Sequence, residues 1–191
     1  AEVLSLIDDL QKEESTLSEK YINFIGLSAS EKKNVVNCIS LSTILKSNIR
    51  KFDSPGNFNE IKSTYLIPRA NFAINEVGKS YPDDEKVVRA LRNYAVTTNI
   101  LLDSIFSNLA KEKNLENENF HNAIDRFTNN EQQKLSLSQK AILLINSVPQ
   151  ISSTLVGMKN PNYVDDVQKS IKSDYVKQYV EFWHNNGNSI Q

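Results

Sequence analysis

Apolar side chains recur at alternating four- and three-residue steps along most of this chain, and that spacing restricts it to long packed helices. The first 25 residues set the pattern. Val3, Ile7, Leu10, Glu14, Leu17, Tyr21 and Phe24 fall on one stripe, the seam of a bundle or coiled-coil helix. Glu14 is the one polar breach in that stripe. The reading favoured here sends its carboxylate to the bundle edge along an apolar stem; the alternative is a buried carboxylate.

The pattern continues. Ser28 and Glu31 form a capping-box pair, opening a second helix with Val35, Cys38, Ile39, Ser42, Leu45 and Ile49 on its stripe to about Phe52. Asp53-Ser54-Pro55-Gly56 is a turn. A third helix from about Asn57 carries Ile61, Tyr65, Leu66, Ala70, Ala73 and Val77, with a kink or restart at Pro68. After Gly78, Tyr81-Pro82-Asp83-Asp84-Glu85 places acids at the next helix start. That helix holds Val87, Leu91, Tyr94, Thr98, Leu101, Ile105 and Leu109. Lys111 to Asn119 reads as a polar connector. A fifth helix begins near Asn119 with Phe120, Ile124 and Phe127. It is loosened over 129–133, resumes through Leu135, Ala141, Ile142, Ile145 and Val148, and bends at Pro149 ahead of Ile151, Leu155 and Val156. Asn160-Pro161 starts a sixth, with Val164, Val167, Ile171, Tyr175, Tyr179 and Phe182.

The expected fold is therefore all-α: an elongated antiparallel bundle of about six helices, kinked near Pro68 and Pro149. It forms a single domain over 1–191, with two sub-bundles meeting near 78–85 as the alternative. Five glycines and five prolines in 191 residues are too few turns for a sandwich or barrel. The net charge of −1 provides no basic field for a polyanion, so nucleic acid is not an expected partner. The longest apolar run, Ala141–Ile145, is far short of the ~20 residues of a membrane helix. Cys38 is the only cysteine, which rules out an intrachain disulfide, and its stripe position makes it a small core residue. The chain opens on Ala, and is read as a processed or trimmed product.

Chemistry is sparse. The two histidines both sit in Glu-x-x-His, Glu118 with His121 and Glu181 with His184, the spacing of a di-metal carboxylate bundle. His121 shares a helix face with Asp125, Thr128 and Gln132, and Glu181 with Lys177, Asp174 and Ser170. Both faces read as solvated, so the metal site is kept only as an alternative and no cofactor is expected. No phosphate loop, nucleophile elbow or CxxC is present, and the chain is not expected to be an enzyme. Among the five arginines, Arg69 follows Pro68 at the expected kink and Arg50 closes the second helix; a guanidinium clamps carboxylate or phosphate well. Tyr65 and Tyr94 lie on apolar stripes, and read as core residues before ligand platforms. Trp183 reads as a packing anchor.

Two stretches carry a resemblance. Ser42-Thr43-Ile44-Leu45-Lys46-Ser47-Asn48-Ile49-Arg50-Lys51-Phe52 is similar to the N-A-x-L-R-N-S-L-x-Y-F stretch of double all-helical ligand-binding (DAHL-type) sensor domains. It departs from that pattern at Ser47-Asn48 and at Lys51. Ala141-Ile142-Leu143-Leu144 through Val148-Pro149-Gln150-Ile151 and Leu155 resembles the same family's A-x-I-L-x-x-x-P-x-V-x-x-L segment, and a helix with Tyr175 and Tyr179 follows. The resemblance implies an extracytoplasmic input domain, periplasmic or extracellular, of an inner-membrane histidine kinase or cyclic-dinucleotide enzyme. The membrane would be reached only through flanking segments absent from this chain. It also implies a small molecule held between helices, with Asn48, Arg50, Tyr65, Arg69 and Tyr94 as candidate contacts, and pairing as a homodimer. A helical adaptor or effector domain is the competing expectation.

Overall fold

The computed structural model describes residues 2–157 and 161–186. The fold is all-α, and no strand occurs among the described residues. Two compact units divide the chain, Ala1–Lys113 and Asn114–Gln191. The turn at 78–85 lies inside the first.

In the first unit, α1 (Glu2–Lys20) is followed by a 3₁₀ turn at Ile22–Phe24, then α2 (Ala29–Ile39), α3 (Leu41–Asn48) and a second 3₁₀ turn at Ile49–Lys51. Next come α4 (Pro55–Ile61), a π-helical segment Lys62–Leu66, and α5 (Ile67–Ser80). Helix α6 (Glu85–Asp125) closes this unit and supplies the start of the second. The α1 stripe is buried as the spacing predicts at Ile7, Leu10 and Leu17. It fails at Phe24, which is 75% exposed, because the 3₁₀ turn advances by three residues per turn and aims Ile22 inward instead. A rotation of the opposite sense acts at Tyr65. The π segment holds one more residue per turn, so Leu66 is buried and Tyr65 faces out. Pro68 follows two residues after that segment in an unbroken helical run, where the N–H it lacks would otherwise bond back to the preceding turn.

Local chemistry sets most helix starts. Ser28 Oγ accepts from the Glu31 N–H at 3.3 Å and Glu31 Oε2 accepts from the Ser28 N–H at 2.8 Å, so the capping box forms. Hydrogen bonds from Ser28 hold the Glu31 carboxyl below its ordinary range. Ser54 caps α4 through the Asn57 N–H, and Asp84 Oδ1 takes the Lys86 and Val87 N–H groups at the head of α6. Ser28→Ala is expected to lower the stability of the first unit by about 1 kcal/mol, read as a shift of that unit's urea midpoint at unchanged slope.

Several boundaries differ from expectation. The second helix is two, broken at Ser40. Lys111–Asn119 is not a connector but part of α6; a polar run with Lys, Glu and Leu and without Gly or Pro retains good helix propensity. In the second unit the polar stretch at 129–133 is a helix of its own, α7 (Asn130–Gln133), opened by an Asn129–Gln132 capping box. It is followed by α8 (Leu137–Asn146), which is capped by Ser136. Residues 151–157 carry no helix after Pro149, and Leu155 is fully exposed. The expected sixth helix is α9 (Pro161–Ile171) and α10 (Tyr179–Asn186), with Tyr175 exposed between them. The core of this unit is small: Ile124, Leu143, Leu144, Val176 and Phe182. Among the described residues no helix is long and apolar enough to cross a membrane.

Candidate functional site

The first unit contains a layer of buried polar groups at the break between α2 and α3. Ser40, the residue at the break, does not cap α3, because its hydroxyl donates back to the Val36 carbonyl at 2.7 Å. The free N–H groups at the head of α3 are met from across the core by Glu14 of α1. Glu14 Oε1 accepts from the Ser42 N–H at 2.7 Å, and Oε2 accepts a short hydrogen bond from the Ser42 hydroxyl. The Leu41 N–H adds a third contact. Glu14 is thus buried, and the bundle-edge placement favoured by the sequence is corrected. The carboxyl is drawn inward because a helix start lacking a local cap carries unmet donors. Burial pushes its carboxyl up to about 7, against the pull of the Ser42 and Leu41 hydrogen bonds.

Tyr94 of α6 lies in the same layer. It is fully buried, and its hydroxyl donates to the Ile39 carbonyl at 3.0 Å, just ahead of the break. Burial, then the nearby Glu14 charge, pushes the phenol well above its ordinary range, so it stays protonated. Thr98, one turn along α6, is buried with its hydroxyl beside the Tyr94 phenol. Arg69 of α5 completes the set. One of its terminal nitrogens donates to the Asn37 carbonyl, and its guanidinium lies 5.0 Å above the centre of the Tyr65 ring, a cation–π distance. Its Nε is buried and unpartnered.

The residues read as candidate contacts therefore separate. Tyr65, Arg69 and Tyr94 gather at one level, although Tyr65 is exposed rather than core. Asn48 and Arg50 lie at the other end of α3. Asn48 Nδ2 donates to the Ile44 carbonyl at 2.8 Å and Oδ1 accepts from Lys51 at 3.2 Å, while Arg50 is exposed. Ser42 and Thr98 were read only as stripe positions. The signal for them was that three stripes, in three helices, each carry a polar breach.

The second unit holds another buried polar cluster, which the sequence did not indicate. Lys140 of α8 is 1% exposed, and its ammonium donates to His121 Nδ1 at 2.9 Å and to Asp125 Oδ1 at 2.5 Å. Accepting at Nδ1 places the imidazole proton on Nε2. The face bearing His121, Asp125 and Gln132 is therefore not simply solvated: Gln132 is buried, and its Nε2 donates to the Asp174 carbonyl at 2.7 Å. Glu118, Glu181 and His184 are exposed. Among the described residues no group of three or more His, Cys, Asp or Glu side chains is placed to hold a metal ion. Elsewhere in this unit Val148, Ile151, Tyr179, Val180 and Trp183 line an open apolar groove.

Comparison of the chain with protein-family models, curated proteins and solved structures returned no match.

Proposed function

We propose that this chain is a ligand-sensing input module of a bacterial membrane receptor, one that responds by repacking helices and performs no catalysis. The supporting observation is Arg69. Its guanidinium rests on an exposed tyrosine while its Nε is buried without a partner, beside the level where α2 and α3 separate and the π segment interrupts regular α-helical bonding. Pairing that Nε with a small carboxylate or phosphate requires the side chain to move. The bound and free packings then differ in affinity, which is the condition for a ligand to shift an equilibrium. The extracytoplasmic placement, the receptor output and pairing as a homodimer rest on the resemblance of residues 42–52 and 141–155 to double all-helical sensors.

The test is a thermal-shift screen of the chain against small carboxylates and organic phosphates. At a hundredfold excess over Kd, a native-state ligand adds about 2.7 kcal/mol, roughly 5–10 °C for a chain this size. One anion class is expected to give that shift, and Arg69→Lys, which keeps the charge but loses the planar fork, is expected to abolish most of it. A panel without effect, or an undiminished shift in the variant, sinks the reading. The apolar groove at Trp183 favours the second reading, a helical adaptor or effector domain. Amphipathic helical peptides that alter Trp183 emission while the anion panel stays silent would select it.

A further inference from the structure

Glu14 is more than a structural cap. We propose that the contact it makes between α1 and the head of α3 is a proton-operated latch, closed while the carboxyl is neutral and released as the medium turns alkaline. The inference stands whether or not the chain takes a small-molecule ligand.

Geometry carries it. Both carboxyl oxygens are committed to α3, through the Ser42 N–H and the Ser42 hydroxyl. No residue of α3 or of the break replaces them, because the Ser40 hydroxyl is turned back into α2. Glu14 is 6% exposed, so the docked carboxylate is largely cut off from water, and moving α1 off α3 hydrates it. The groups facing it are few. Ser42 and the Leu41 N–H come from α3, and Tyr94 comes from α6. Cys38 of α2 and Arg69 of α5 also act on Tyr94. Among the described residues no cation pairs with Glu14; the Lys46–Asp8 ion pair across the same two helices is exposed. A negative charge formed there is met by two amides and a hydroxyl and by no cation, which does not repay its lost hydration.

The direction follows from linkage. The docked carboxyl titrates near 7 and the exposed one near 4.5. The docked state therefore holds its proton more tightly. Its advantage is complete below the exposed value and is lost as pH rises through the docked one. Ionisation is relieved most cheaply by lifting α1, which hydrates the carboxylate and uncaps α3.

Two measurements on the full chain test this. In carbon-13 NMR of side-chain-labelled glutamate, the Glu14 carboxyl is expected to titrate near neutrality, apart from the other glutamates, and Ser42→Ala is expected to move its midpoint upward by removing a donor to the charged form. Amide exchange at Ser42, corrected for the intrinsic pH dependence, is expected to lose protection by up to about a hundredfold between pH 5 and pH 8, at most a decade per pH unit. Glu14→Gln keeps the shape of the neutral form, and is expected to hold protection flat. A Glu14 that titrates with the exposed carboxylates, or wild-type and Glu14→Gln profiles that run parallel, overturns the latch. The wild-type titration decides the matter even if the variant fails to fold.

Discussion

Lys140→Met is expected to lower the stability of the second unit by about 2–4 kcal/mol, although methionine fills nearly the same volume. The ammonium it removes is the shared donor for His121 Nδ1 and Asp125 Oδ1. Breaking a buried ion pair at one partner costs about 3–5 kcal/mol, mainly because the remaining charge is stranded. Asp125 is 30% exposed, and water can reach part of it, which places the expected loss at the lower end. The double variant Lys140→Met with Asp125→Asn strands no charge and is expected to recover much of the loss, so the two substitutions should be strongly non-additive. Trp183 is the chain's one tryptophan and packs edge-on against Phe182 at 5.2 Å, so its emission during urea unfolding reports on this unit. A Lys140→Met midpoint equal to that of the wild type would show that the cluster does not hold α8 to the end of α6.

Phe182→Ala is expected to have the larger effect, removing cooperative folding of the second unit near physiological temperature. Phe182 is fully buried and meets Phe120, Phe127 and Trp183 edge-on, with centroid separations of 6.2, 5.7 and 5.2 Å. Among the described residues it is one of five buried side chains in that core. Truncating a buried phenylalanine costs about 3–5 kcal/mol, comparable with the whole stability of many small domains. At roughly 4–8 °C per kcal/mol for a unit of this size, the Trp183 transition should fall by at least about 12 °C or vanish. Phe182→Leu retains most of the apolar volume and should lose markedly less. If Trp183 melts unchanged in Phe182→Ala, the aromatic cluster does not organise this unit.

Both clusters show where the sequence was readable. Elements fixed by neighbouring residues were visible in it: the α1 seam at Ile7, Leu10 and Leu17, the Ser28 box and the acids ahead of α6; the turn expected over 53–56 is instead the start of α4 at Pro55. Elements fixed by distant partners were not. The break at Ser40 depends on a cap that Glu14 supplies to Ser42 from 28 residues earlier in the chain. The gap between α9 and α10 contains no glycine or proline. It persists because side chains elsewhere meet its backbone. Ser147 Oγ accepts from the Val176 N–H at 2.8 Å, and Gln132 Nε2 donates to the Asp174 carbonyl, so helical bonding is not required there. Lys140 was overlooked because a lysine beside an apolar run ordinarily reaches solvent, and only the fold places His121 and Asp125 around it.

The polar layer was half legible. Glu14, Ser42 and Thr98 each interrupt an apolar stripe, and such interruptions in three helices indicate a shared buried level. Which of them would touch could not be read from spacing, because α3 had to be separated from α2 first. Arg69 was singled out for an expected kink at Pro68; the structure places a π segment just ahead of it and its guanidinium over Tyr65.

Cys38 lies four residues before Ser42, buried on α2 and the sole thiol in the chain. In the packed state its side chain is largely shielded from an alkylating reagent, whereas in an opened one it reacts as a free thiol does. The rate of covalent capture is then a clock that counts excursions of this part of the core, needs no added label, and runs under the same conditions in which the intact chain works.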